Sequence, residues 1–304
     1  MAFSFDLSTL KLPIGTYSIT VKAKKEGYRD SAESNAVSYS VVPKTQEEIN
    51  YIYYTLSEDS KYYTCSGVRI ISQYINPNIE IPAYINGLPV KYIADGVFEK
   101  QEELTSIVLP DTIEGIGSSA FLLCENLTHI NIPKSVRTIG SYAFCYCTSW
   151  QTEEIDLTNV TVVGNNAFDN CEKIESVILP KISTIPTYAF ADSGLKSVKI
   201  PSTVITIGEH AFARCYSLEK IWLPSGLKKV SGWAFASCTS LTDVYFGGTE
   251  AQWNDLTIGR DNEPLQNANI FYENTLNFII DNKAYIGTPN MSWGEWVSSV
   301  YNTD

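Results

Sequence analysis

Residues 104–126 read "LTSIVLPDTIEGIGSSAFLLCEN". The core of that stretch returns along the chain as "IGSSAF" from 116, "IGSYAF" from 139, "VGNNAF" from 163, "IPTYAF" from 185, "IGEHAF" from 207 and "VSGWAF" from 230. The repeated phenylalanine falls at Phe98, Phe121, Phe144, Phe168, Phe190, Phe212 and Phe235, in steps of 23, 23, 24, 22, 22 and 23 residues. A fixed period of this length is the signature of a solenoid, in which each unit is one coil. Within the unit, Ile107 and Leu109 alternate as an inward strand pair, Leu104 turns in just before them, and Pro110 ends the strand because it has no N–H for a ladder. Ile113 and Ile116 line the opposite wall, Ala120 and Phe121 fill the interior, and Cys124 begins the return turn. One unit cannot bury this set alone, whereas a stack of units can.

Gly115, Gly117 and Ala120 also fit the dinucleotide fingerprint G-x-G-x-x-A. That motif needs a long helix after it and an acidic residue about 20 positions on. Here "ENLTHINIP" follows, which reads as a turn and a short strand. The glycine column runs Gly117, Gly140, Gly164, Pro186, Gly208, Ser231, and a phosphate cradle does not accept proline. The glycine is therefore assigned to a turn.

Bulk properties narrow the function. The 304 residues allow one long domain or two to three small ones. A net charge of −12 repels phosphate backbones and anionic membrane surfaces, so neither nucleic acid nor membrane insertion is expected. No apolar run reaches the roughly 20 residues that span a bilayer. "MAFSFDLSTL" has no basic n-region, so no signal peptide is read there. The seven cysteines and two histidines form neither C-x-x-C nor H-E-x-x-H, and no metal or cofactor is expected. "LPDT" at 109–112 is followed by Ile113 rather than glycine and lies inside the repeat, so it is not a sorting signal.

The pattern L-x-x-I-x-I-P-x-x-V-x-x-I-G-x-x-A-F-x-x-C, met seven times between about residues 79 and 246, resembles the BspA-like leucine-rich repeat family of bacterial cell-surface proteins. "YYTLSEDSKYYTCSGVRII" with "IEIPAYINGLPVKYIADGVF" is similar to the family's lead-in segment. "VYFGGTEAQWNDLTIG" with "LQNANIFY" is similar to its exit cap, through Gly248, Thr249, Gln252 and Trp253. The expected fold is a β-rich α/β solenoid of about seven coils with a parallel strand face, spanning residues 44–272. Three coils depart from the pattern and are expected to be irregular: those with Gln101 and Ser193 in place of cysteine, and "CTSWQTEEIDL" at 147–157, which carries two extra residues. Residues 1–43 alternate as Tyr17, Ile19, Val21 and Val37, Tyr39, Val41, a β-hairpin by period, which resembles the last strands of a fibronectin type III or immunoglobulin-like module. Residues 273–304 read as the start of a further module.

The five cysteines three residues after the repeat phenylalanine (Cys124, Cys147, Cys171, Cys215, Cys238) are expected to be reduced and buried. Ladder residues point in parallel, so their Cβ atoms stay about one strand spacing apart, too far for an easy disulfide. Any exposed thiol is expected to be Cys65 or Cys145. His129 and His210 sit in variable columns, beside Ser106 and Ser119 of another coil, and are expected at the surface. Glu153, Glu154 and Asp156 form an acidic strand that reads as solvated, and "RDNEP" at 260–264 lacks calcium-loop spacing. No catalytic residue is assigned.

The outward strand columns are the candidate binding surface. One runs Val108, Asn131, Asp156, Ile178, Lys199, Trp222, Tyr245, and its neighbour Ser106, His129, Glu154, Ser176, Ser197, Lys220, Asp243. Trp222, Tyr245, Lys199, Lys220, Ile178, Asp156 and His129 are the candidate ligand-binding residues, with an aromatic pair on consecutive coils at the centre. A second environment for Trp222 is the underside of the exit cap, beside Trp253. The family resemblance implies a non-enzymatic, extracellular or cell-surface adhesion module that binds a protein or glycan on a host, a matrix or a neighbouring cell. Two further classes stay open: a structural or receptor-binding part of a virion or surface filament, and a carbohydrate-binding segment attached to a hydrolase.

Overall fold

Apolar pairs separated by turns make strands of only a few residues, and such strands persist only when each is paired on both sides. The computed structural model describes residues 51–69, 78–152 and 154–273, with the strands Gly15–Ile19, Val37–Val41, Asn277–Ile280 and Lys283–Ile286. Two rows of short strands run up the stack. The first holds the L-x-x-I-x-L strands: Asn78–Glu80, Ser106–Val108, His129–Ile130, Ile155–Asp156, Val177–Ile178, Ser197–Lys199, Lys220–Leu223, Asp243–Phe246 and Asn269–Tyr272. The second holds Tyr63–Arg69, Leu88–Ile93, Gly115–Ile116, Thr138–Ile139, Val162–Val163, Thr184–Ile185, Thr206–Ile207, Lys229–Val230 and Thr257–Ile258. Pairings between coils are parallel, as in His129 opposite Ser106 and Thr138 opposite Gly115. The strand Tyr51–Leu56 pairs antiparallel with Tyr63–Arg69 and closes the second row at its start.

The solenoid thus has about nine turns rather than seven. The seven phenylalanine coils are preceded by the Tyr63–Arg69 strand and followed by two more levels supplied by the exit cap. Those levels lack the A-F word, so the period does not reveal them. Among the described residues, helix is confined to Glu250–Asn254 and Glu263–Asn267 in that cap. The third side of each coil is a pair of tight turns instead.

Those turns place a left-handed residue two positions before and two after each phenylalanine. Ser119 and Leu123, Tyr142 and Tyr146, Tyr188 and Asp192, His210 and Arg214 have φ between 52° and 62°. Non-glycine residues there are uncommon and cost energy. Hydrogen bonds between adjacent coils offset the cost: N–H groups of Ser119, Phe121 and Leu123 donate to carbonyls of Ser141, Ala143 and Cys145 at 2.8, 2.8 and 2.9 Å.

The interior is a column of stacked rings. Phe98 through Phe235 follow one another with centroids 5.1–5.7 Å apart, each at most 1% exposed. Trp150, in the coil with the insertion, takes the place of the repeat leucine and tilts against Phe144 at 4.9 Å. The repeat glycines serve close approach rather than a turn conformation. A Cβ on Gly140 would lie 2.4 Å from Ser118 N, and one on Gly164 2.3 Å from Ser141 N, whereas the only left-handed glycines are Gly87 and Gly96 among the described residues. Pro186 occupies the same column where the ladder between Val162–Val163 and Thr184–Ile185 is interrupted.

The exit cap also ends the phenylalanine hydrogen-bond series. Each Phe N–H donates to the alanine carbonyl of the next coil, as in Phe212 to Ala234 at 2.8 Å. Phe235 has no such coil beyond it, and its N–H donates instead to Asn262 Oδ1 at 2.9 Å. Asn262, fully buried, donates in turn to Ser231 and Gly259 carbonyls, both at 2.9 Å. Thr249 and Gln252 form a capping box, and Trp253 packs edge-on against Phe246 at 5.4 Å. Asn262→Ala is expected to destabilise the protein by roughly 2–3 kcal/mol, because it strands several buried backbone groups at once. Urea unfolding checks this; a change within about 0.5 kcal/mol, the range of ordinary surface substitutions, would show that water replaces the amide.

At the termini, Gly15–Ile19 and Val37–Val41 pair antiparallel with Tyr17 opposite Tyr39, as the period predicts. Asn277–Ile280 and Lys283–Ile286 form a second antiparallel pair. The turn "KKEGYRDS" and the stretch "SWGEWVSSVY" lie outside the described residues.

Candidate functional site

Alternation on the first strand row sends Ile107, Ile130, Ile155, Val177, Val198, Ile221 and Val244 inward, none more than 7% exposed, and turns their neighbours outward. The register stacks Lys199, Trp222, Tyr245 and Phe271 on successive coils. Trp222 and Tyr245 are parallel at 5.1 Å, and Tyr245 and Phe271 at 5.0 Å. The aromatic pair of the sequence reading is therefore a ladder of three rings. Phe271 escapes the period because the cap helices lengthen the step from Tyr245 to 26 residues. Trp222 stands in this ladder, while the underside of the exit cap is occupied by Phe246 against Trp253.

The other candidates divide. Ile178 is 39% exposed and Lys199 is exposed on the next coil. Lys220 is half-buried in the neighbouring column, opposite Ser197 and Asp243. Asp156 accepts the Thr158 N–H at 2.9 Å, and hydrogen bonding to Thr158 holds its carboxyl below the usual range. The exposed His129 has Nδ1 2.7 Å from Thr128 Oγ1. Asn131 clamps the backbone of Leu109, accepting its N–H at 2.8 Å and donating to its carbonyl at 2.7 Å. Glu153 lies outside the described residues.

The strand row is interrupted twice. One break follows His129–Ile130, at the coil with the two extra residues; the other separates Val177–Ile178 from Ser197–Lys199. At the second break the return turn is one residue short: Leu195 follows Phe190 by five positions, where Leu127 follows Phe121 by six. Gly194 sits so close to the preceding coil that a Cβ would lie 2.3 Å from Glu172 O. The insertion and the Ser193 turn thus produce the expected irregularities. The coil with Gln101 does not, since Asn78–Glu80 pairs regularly with Ser106–Val108. The second break opens a shallow groove of about 390 Å³, lined by Glu154, Ser176, Ile178, Lys181, Lys199 and Trp222 among others.

A second ladder lies on the turn side. His210 is sandwiched between Tyr188 at 4.3 Å and Trp233 at 5.1 Å, and the Arg260 guanidinium covers Trp233 at 3.8 Å. Burial lowers the His210 pKa. This column mixes residue types, so its stacking was not legible from the repeat.

The description of the BspA type leucine rich repeat region fits the chain in six copies, over residues 76–196 and 161–277. The chain belongs to this family. Among solved structures, a leucine-rich repeat protein from Bacteroides ovatus is 25% identical with a TM-score of 0.52, over 75% of this chain and 71% of that one. The leucine-rich repeat protein of T. pallidum is 23% identical with a TM-score of 0.44, over 68% and 83%. A leucine-rich cell surface protein from Faecalibacterium prausnitzii is 20% identical with a TM-score of 0.29, over 69% and 97%. Only the first of these similarities is close enough to bear on the fold. No curated protein matches the chain.

In this BspA-type stack the cysteine column has a backbone role. The thiols of Cys124, Cys147, Cys171, Cys215 and Cys238 donate to carbonyls of Phe98, Phe121, Phe144, Phe190 and Phe212 in the preceding stacked coils at 2.9–3.3 Å. All seven cysteines are reduced and buried. Burial pushes Cys124 up to about 12 and Cys215 to about 11. The expectation of an exposed Cys145 is overturned: it is 3% exposed, against the buried Asp169, and burial raises its pKa to about 12. Cys65 is likewise buried, at 0% exposure. Maleimide labelling of native protein is expected to leave all seven thiols unmodified, and denaturant without reductant to expose all seven. Thiols that label only after reduction would show disulfides in place of burial.

Proposed function

We propose that the chain is a non-enzymatic binding module that presents its strand face to a protein or glycan partner at a bacterial cell surface. The observation that carries this reading is the Trp222–Tyr245–Phe271 ladder on the strand face, bordered by the groove at the second interruption. Aromatic side chains bring large contact area at low entropic cost and dominate binding hot spots. Solenoids expose such columns as extended surfaces. Lys199 and Lys220 add positive charge at that place on a protein of net charge −12, which favours partners with acidic groups. Membership of the BspA-type family supports a binding role and the surface placement. No helix among the described residues is long and apolar enough to cross a membrane. The antiparallel strands Gly15–Ile19 and Val37–Val41, in a segment whose sequence resembles the end of a fibronectin type III or immunoglobulin-like module, fit a modular surface protein.

The test is direct binding of the 304-residue chain to a panel of purified matrix proteins and immobilised glycans, repeated with Trp222→Ala. Saturable binding to a panel member, weakened in the variant, is expected. A partner bound equally by both moves the site off the strand face.

A further inference from the structure

We propose that the solenoid carries a hinge in its middle, across the three junctions that join the Phe144, Phe168, Phe190 and Phe212 coils, which pivots on the turn side while the strand rows part or close. This goes beyond the binding reading and does not rest on it. Each of the three junctions keeps one strand row and has lost the other. The first row is interrupted after His129–Ile130 and after Val177–Ile178, and the second between Val162–Val163 and Thr184–Ile185. From the Phe98 coil to the Phe144 coil, and from the Phe212 coil to Asp243–Phe246 and Thr257–Ile258, both rows run unbroken.

Three irregularities of sequence produce the three gaps. In the second row the residue after each short strand donates its N–H to the preceding coil: Gly140 to Ile116, Gly164 to Ile139 and Gly208 to Ile185, each at 2.9 Å. Pro186 holds that place in the Phe190 coil and has no N–H to give to Val163. At the start of the same strand, Arg137, Thr161 and Ile205 each donate to the preceding coil at 2.8 Å, whereas Ser183 makes no such bond among the described residues. In the first row Ile81, Leu157 and Ile200 donate to the next coil at 3.0, 3.0 and 2.8 Å. Ile132 and Leu179, in the same place at the two gaps, make no such bond among the described residues. The two extra residues before Ile155 and the missing one before Leu195 put these strands out of step. What still crosses the first-row gaps is slight: Gln151 N–H to Thr128 O at 3.0 Å, Lys196 N–H to Glu175 O at 3.2 Å, and the exposed Lys196–Glu175 ion pair, of a kind that contributes little.

The turn side is continuous through all three junctions. Phe144, Phe168 and Phe190 donate to Ala167, Ala189 and Ala211, each at 2.9 Å, and their rings stack at 5.4, 5.3 and 5.7 Å. Coils of a solenoid touch only their neighbours, so opening concentrates at the junctions with the fewest bonds. Here the turn side is the pivot and the gapped rows are the free edges. Two of the three gaps lie in the first row, so bending changes the curvature of the strand face and the width of the groove at its second gap.

The experiment is residue-resolved amide hydrogen exchange of the 304-residue chain, corrected for intrinsic rates. Gln151 and Lys196 are expected to exchange roughly tenfold faster or more than Thr128 and Glu219, which make the same bond at unbroken junctions. The turn-side amides of Phe144, Phe168 and Phe190 should match those of Phe121 and Phe212. In Pro186→Gly the new amide at position 186 should be protected like those of Gly164 and Gly208, because it supplies the missing donor. Equal protection at Gln151, Lys196, Thr128 and Glu219 would mean a rigid stack and overturn the proposal. Fast exchange at Phe144, Phe168 and Phe190 as well would mean local unfolding rather than bending, and would equally overturn it. An unprotected amide at position 186 in the variant would overturn proline as the origin of the second-row gap.

Discussion

Phe168→Ala is expected to destabilise the protein by roughly 3–5 kcal/mol, the usual cost of deleting a fully buried ring. Its ring is 0% exposed and stacks on Phe144 at 5.4 Å and Phe190 at 5.3 Å, with Trp150 tilted nearby at 6.2 Å. Deletion therefore leaves a gap bounded by aromatic rings above and below, which the coils cannot close without breaking the turn-side hydrogen bonds. Phe98 is as buried, but its ring stacks on Phe121 alone among the described residues. Phe98→Ala is expected to cost less, because a coil near the end of a stack relaxes more freely than one with neighbours on both sides. Urea unfolding of the two variants gives the comparison. Equal losses, or a larger one at Phe98, would contradict the order of the stack.

Trp222→Ala combined with Tyr245→Ala is expected to weaken binding of a strand-face partner by roughly 2–4 kcal/mol, the range of aromatic hot spots. That corresponds to about 30- to 1,000-fold in affinity. The fold should persist. Both side chains are only half-buried, and the inward residues of their strands, Ile221, Leu223, Val244 and Phe246, are untouched at 0% exposure. Thermal unfolding of the same variant separates lost contact from lost fold: a loss of affinity matched by a collapsed melting temperature would place the two rings in the core.

The inward residues were legible because burial repeats every coil: Leu104, Ile107, Leu109, Ile113, Ile116, Phe121 and Cys124 take the places that the period assigns. What repeats less strictly was harder to read. The glycine column was assigned to a turn, since glycine is commonest there, yet Gly140 and Gly164 are required by backbone packing between coils. The left-handed turn residues were hidden because Tyr142, Leu123 and Trp233 are not types that favour that conformation. Cys145 is not legible as buried because it lies outside the thiol column, and its thiol meets Asp169 of the next coil. Of the candidate site, Lys199, Trp222 and Tyr245 stand in register as their column implies, whereas Ile178 lies across the second interruption. The groove beside them follows from one missing residue at Ser193–Gly194, a defect in the repeat rather than a motif.

The strand face is the proposed binding surface, in preference to the turn side, where Tyr188, His210 and Trp233 stack with Arg260 over the last ring. The most direct measurement compares the affinity of one partner for two double variants, Trp222→Ala with Tyr245→Ala and Tyr188→Ala with Trp233→Ala, each checked for an intact fold. A loss of about 30-fold or more is expected for the first pair, and an affinity within about twofold of the parent for the second. Full binding by the strand-face variant together with its loss in the turn-side variant would contradict it.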